Sequence, residues 1–210
     1  MKTKKIILSI SLVLIALFSF VGCTENSLLD SLVKQSESMT ATASSYQSED
    51  VDSDVELLSL SNENYYVLTL SEDDEPNYFI LANELRLELI ALHNEIVVEV
   101  DTIKTTVESI KTSVFSIQER SFVLLPGDEE AIKAYVETIK GYKENLEATR
   151  GLAYFRISEL AGSYTRDNLE NIVQVFQEVK EVLEYRLEIL REGVVVFNEI
   201  DTLLLDYMES

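Results

Sequence analysis

The sequence predicts an all-α chain: an elongated antiparallel three-helix bundle with coiled-coil-like packing, preceded by a flexible N-terminal linker and a small ambiguous segment. Three observations carry that expectation. Beyond residue 76, apolar side chains recur at spacings of three and four along three long stretches. Helix-breaking and capping residues separate the stretches: Pro126-Gly127 between the first two, Gly162 and Asp167 between the last two. The connections are short, and short connections make neighbouring helices antiparallel.

The chain begins with a different pattern. Lys2, Lys4 and Lys5 lead into an apolar run, Ile6 to Phe20, followed by Val21-Gly22-Cys23. The run is 15 residues long; a spanning helix needs about 20. A basic start, a short apolar core and a small residue before a cut site are the marks of an exported precursor. Cys23 is the only cysteine. These residues resemble a bacterial lipoprotein signal, with Phe20 at the position where leucine is commonest. The resemblance covers residues 1 to about 24. It implies cleavage after residue 22, covalent lipid on Cys23 (a diacylglyceryl group, with acyl chains of the palmitate kind) and attachment to the extracytoplasmic face of a cell membrane. One acyl chain binds a membrane only marginally, whereas two hold stably.

Residues 23–54 are rich in Ser, Thr, Glu and Asp, and read as the lipidated N-terminus followed by an acidic linker. Leu28, Leu29, Leu32 and Val33 allow a short amphipathic turn or two. As a flexible coil, residues 34–54 would span roughly 25 Å. Residues 55–75 are ambiguous. Val55–Leu60 and Tyr65–Leu70 flank Ser61-Asn62-Glu63-Asn64, which suits a short hairpin or a packing segment.

The first bundle helix is expected over 76–120. Pro76 follows Asp73-Asp74-Glu75, a favourable helix start. Its seam is Tyr78, Ala82, Leu85, Leu89, Leu92, Ile96, Val100, Ile103, Val107, Ile110, Val114 and Ile117, a heptad pattern with one stutter after Ile96. The second helix is expected over 128–163, capped by Asp128, with Ile132, Tyr135, Ile139, Tyr142, Leu146, Thr149, Ala153, Ile157, Leu160 and Tyr164 inward. The third is expected over 167–208, with Asp167 and Glu170 in a capping-box-like arrangement. Its seam runs from Leu169 through Phe176, Leu183, Leu190 and Phe197 to Tyr207.

Charge narrows the function. The 210 residues include 17 Lys+Arg and 38 Asp+Glu. Residues 1–22 hold three lysines and no acid, so the other 188 residues carry a formal −24. Such a surface is repelled by nucleic acid and by anionic headgroups. With no cysteine after Cys23, disulfide frameworks and Cys-based zinc sites are excluded.

Catalytic signatures are missing from the sequence. The sole histidine, His93, is expected as a solvated flank residue of the first helix. Ile90 and Ile96 stand three residues either side of it, where a helical di-metal site needs carboxylates. There is no Gly-x-Ser-x-Gly elbow and no glycine-rich phosphate loop. Asp50, Asp52 and Asp54 echo a calcium loop, but Val55 and Ser61 occupy the positions that need Gly and Glu.

One connection is unusual. Phe122, Val123, Leu124 and Leu125 are apolar where a loop is expected to be polar. They either close the core against the C-terminal turn around Leu204 and Tyr207 or form an exposed partner-contact patch. With the chain entering at the start of the first bundle helix, this tip is expected to point away from the membrane. Tyr135, Tyr142 and Tyr164 are expected to fill core, with an aromatic ligand site as the sharper alternative. The leading expectation is therefore a noncatalytic, membrane-anchored lipoprotein, with membrane lipid and an unidentified envelope or extracellular protein as partners and no cofactor beyond the covalent lipid. The alternative is a ligand-binding or adaptor subunit of an envelope transport or signalling complex.

Overall fold

The computed structural model describes residues 25–59, 78–120, 123–158, 160 and 168–209, and among them every regular element is helical. There are four long helices, α1 (Glu25–Ser59), α2 (Tyr78–Glu119), α3 (Pro126–Ala148) and α5 (Leu169–Glu209), and one short helix, α4 (Leu152–Ser158). The all-α expectation holds. The three-helix expectation does not, because α1 is a fourth helix in the bundle.

Helix α1 replaces the expected linker. Its buried residues are Leu28, Leu29, Leu32, Ser36, Met39, Ala43 and Tyr46. From Leu29 onward they follow a three-four-three-four-three spacing, an apolar stripe built partly from small residues. The polar positions do not break the helix because their hydroxyls bond within it. Ser36 donates to the Leu32 carbonyl (2.8 Å), Thr40 to Ser36 (2.8 Å) and Ser44 to Thr40 (2.7 Å). Residues 55–59, five of the six residues of the expected hairpin's first arm, continue α1. The rest of that segment, 60–77, lies outside the described residues.

Helix α2 follows its predicted seam. Ala82, Leu85, Leu89, Ile96, Val100, Ile103, Val107, Ile110, Val114 and Ile117 are all buried. At the stutter the inward position shifts from Leu92, which is half-buried, to His93. The second predicted helix is broken in two. Helix α3 starts at Pro126, with Leu125 rather than Asp128 at the N-cap. It stops at Thr149, whose hydroxyl donates to the Leu146 carbonyl (2.7 Å). Gly151 then takes φ 72, a left-handed conformation that favours glycine, and α4 begins.

Contacts give the bundle order. α1 touches α2 and α3, and α5 touches α2 and α3; the most extensive interface is α2 with α5. Around the core the order is therefore α2, α5, α3, α1. Cross-helix pairs fix the directions. Gln118 Nε2 donates to Asp30 Oδ1 (2.9 Å) and Lys111 pairs with Glu37 (2.9 Å), so α1 and α2 are antiparallel. Lys180 reaches Glu88 (2.8 Å) and Arg191 reaches Glu95 (2.6 Å), so α2 and α5 are parallel. Tyr135 faces Glu199 and Tyr142 faces Glu192, so α3 and α5 are antiparallel. One end of the bundle thus gathers the first turns of α1 and α3 and the last turns of α2 and α5.

A close approach across the bundle centre is permitted by Gly193. A Cβ there would sit 2.9 Å from Met39 Cε and 3.6 Å from Ile103 Cδ1. The α1 methionine occupies the space that a side chain on α5 would take.

Candidate functional site

Three places concentrate polar or exposed apolar groups: the tip loop, a groove beside it, and a buried polar layer midway along α5.

At the tip, the predicted patch divides. Leu124 is buried at 3%, while Val123 and Leu125 are exposed at 68% and 64%. Phe122 lies outside the described residues. Leu125 is extended (ψ 144), and alternate side chains of an extended segment face opposite ways. Leu124 therefore turns into the core and its two neighbours turn out. The loop is pinned from α5: the Leu125 N–H donates to the Tyr207 hydroxyl (2.9 Å), which donates to Asp128 Oδ2. Asp128, expected as a helix cap, is the acceptor for this tyrosine. Of the three described residues, one closes the core and two remain in solvent.

The direction of the tip is corrected. The Gln118–Asp30 bond sets the first turns of α1 beside the last turns of α2. Glu25, where α1 begins, therefore stands at the tip end. The expected geometry assumed entry at residue 76, and that fails because residues 25–59 are helix antiparallel to α2.

Beside the tip, α3 and α5 part to leave an open groove of about 650 Å³ lined by Asp128, Tyr135, Val195, Asn198, Glu199, Thr202, Leu203 and Asp206. Partial burial holds the Tyr135 hydroxyl above the ordinary phenol range, and the charge and hydrogen bond of Glu199 push it further. Tyr142 is raised in the same way, by burial first and then by Glu192 and Glu199. Both rings are half-buried, Tyr135 at the groove wall and Tyr142 further along α3, and both hydroxyls keep their protons at neutral pH. They can donate hydrogen bonds there; they cannot act as bases.

The third place was not foreseen. Arg186 is only 2% exposed. Its Nε donates to Thr149 Oγ1 (2.8 Å) and its Nη2 to the Thr149 carbonyl (2.6 Å). Its guanidinium lies 4.8 Å from the Tyr46 ring centroid, a cation–π contact. One side chain thus ties α5 to the end of α3 and to α1. The sequence did hold a signal: Arg186 follows Leu183 by three and precedes Leu190 by four, which is the inward face. His93, expected in solvent, is buried at 3%, because the stutter turns position 93 inward. Arg86, 8% exposed, donates to Asn83 Oδ1 (3.0 Å).

Among the described residues, no group of three or more His, Cys, Asp or Glu side chains is placed to hold a metal ion, and no helix is long and apolar enough to cross a membrane. Comparison with known proteins gives no matching family model, no matching curated protein and no matching solved structure.

Proposed function

We propose that this chain is a noncatalytic lipoprotein, held on the extracytoplasmic face of a membrane by lipid on Cys23 and acting by contact with an envelope or extracellular protein. The observation that carries the reading is the order of residues 2–23: lysines, a 15-residue apolar run, then Gly22 and the chain's single cysteine. The body is a rod with coiled-coil-like packing; at 1.5 Å per residue its 42-residue helix α2 is about 63 Å long. The rod and its negative charge fit a role in reach and presentation. With α1 beginning two residues after Cys23, no long linker intervenes, and the partner is met by a helix face or by the end opposite the tip.

The test is direct. Labelling with a radioactive fatty acid should mark the protein, and mass spectrometry should find the chain starting at a lipid-modified Cys23. Cys23→Ala should abolish the label and shift the protein to the soluble or unprocessed fraction. An unmodified Cys23 in wild-type membranes ends this reading.

A second reading, a ligand-binding or adaptor subunit, is favoured by the groove between α3 and α5. The Tyr135 hydroxyl, the carboxylates and the apolar wall form a mixed lining of the kind small-molecule sites use.

A further inference from the structure

We propose that the tip is a membrane-contact surface: Val123 and Leu125 rest in the interfacial region of the leaflet that holds the chain. The inference rests on the tether reading above and adds which end of the body meets the bilayer.

Three observations converge. The first is where the tether leaves. Asp30, bonded to Gln118, lies five residues into α1 from Glu25, about 7.5 Å along the helix axis. Cys23 is two residues further back, at most about 7 Å of extended chain. Helix α2 ends one residue after Gln118. The first turn of α1 and the 123–125 loop therefore share one end of the bundle, and Cys23 is confined to that end. The same holds if the apolar run Ile6–Phe20 is itself the membrane element, since it also precedes residue 25.

The second observation is the form of the exposed pair. Leu124 is buried and Tyr207 holds the Leu125 N–H, so Val123 and Leu125 are presented on a fixed loop. Apolar side chains held out by a pinned backbone lose little freedom when they enter an interface.

The third is charge. The tip carries Asp30, Asp128 and Asp206 and belongs to a strongly acidic chain. Such a surface is repelled by anionic headgroups, which directs the contact to zwitterionic lipid and makes apolar insertion its source of attraction.

The experiment uses the full chain, expressed and processed in bacterial membranes and reconstituted into phosphatidylcholine vesicles carrying a lipid-borne quencher. Leu125→Cys and, separately, Ile80→Cys are labelled with an environment-sensitive fluorophore. Ile80 is the control: it is 51% exposed and lies at the opposite end of α2 from the tip, about 58 Å from Glu119 along the axis. Mass spectrometry of each sample records the state of Cys23. The expected result is a blue shift and strong quenching at position 125, neither at position 80, and loss of the quenching when Val123→Asp is added. Lipidated protein with neither label quenched, or with only position 80 quenched, overturns this inference and leaves the anchor intact. A blue shift at 125 without quenching assigns the patch to a second copy of the chain and also overturns it. Unmodified Cys23 with the protein in the soluble fraction removes the anchor and the contact together.

Discussion

Helices α1 and α5 bury stripes of the same period with very different residues. α5 fills its inward face with Ile172, Phe176, Val179, Leu187, Leu190, Phe197, Ile200 and Leu204. α1 fills the corresponding role with Leu29, Leu32, Ser36, Met39, Ala43 and Tyr46. The α5 face is broad, because Val173, Val175 and Ile189 are buried as well, and it meets α2, α3 and α4. The α1 stripe is narrow, and the hydroxyls of Ser36, Thr40 and Ser44 are satisfied within the helix. The contrast teaches that a helix joins a core through the spacing of a few contacts, provided its remaining polar groups find partners near home.

Substitutions can break or sharpen that contrast. The largest loss is expected from Phe197→Ala, which empties a fully buried aromatic site and should lower stability by about 3–5 kcal/mol in urea denaturation. Leu32→Ala in α1 should then cost about 2–5 kcal/mol, since Leu32 is equally buried. A cost near zero would mean that α1 is laid on a three-helix core that stands without it. Next is Arg186→Leu, which removes charged donors from Thr149 and the cation over Tyr46. A loss of about 1.5–3 kcal/mol is expected, with earlier hydrogen exchange at the end of α3 than elsewhere. Alkaline pH should act more gently. Tyr135 and Tyr142 have raised folded-state values, so the unfolded chain gives up these protons first. Their contribution is complete below the unfolded tyrosine value of about 10 and is lost as pH rises through the folded values. Tyr135→Phe should flatten that decline in a pH series of denaturation midpoints. The smallest effect is expected at Ser36→Ala, within about 0.5 kcal/mol by the same measurement, because the lost bond is internal to α1 and alanine is the better helix former. A large loss there would show that Ser36 bonds between helices.

The contrast also marks what was legible. α2 and α5 could be read because Leu, Ile, Val and Phe fill nearly every inward position. α1 was missed because Ser36, Ala43 and Tyr46 do not announce an apolar stripe inside a Ser/Thr-rich stretch, although their spacing was there to be counted. The break after α3 was missed at Arg150-Gly151, where a single glycine with Thr149 before it ends the helix without proline. His93 is expected in solvent because Leu92 continues the three-four count, whereas around the stutter the inward face passes to position 93. At the tip the apolar residues are legible, but which end of the bundle they share with the start of the chain depends on α1, whose helix and direction the sequence does not announce.

The parallel pairing of α2 with α5 bears on the order of assembly. Its ion pairs join residues 92 to 96 positions apart, Glu88 with Lys180 and Glu95 with Arg191. Helical proteins usually owe fast folding to local contacts, and here the principal interface is among the most distant in sequence. Synthesis runs from the N-terminus, so nearly the whole chain must emerge before that interface can close. Until then α2 has its wettest period, with the Ala82-to-Ile117 face uncovered on one side.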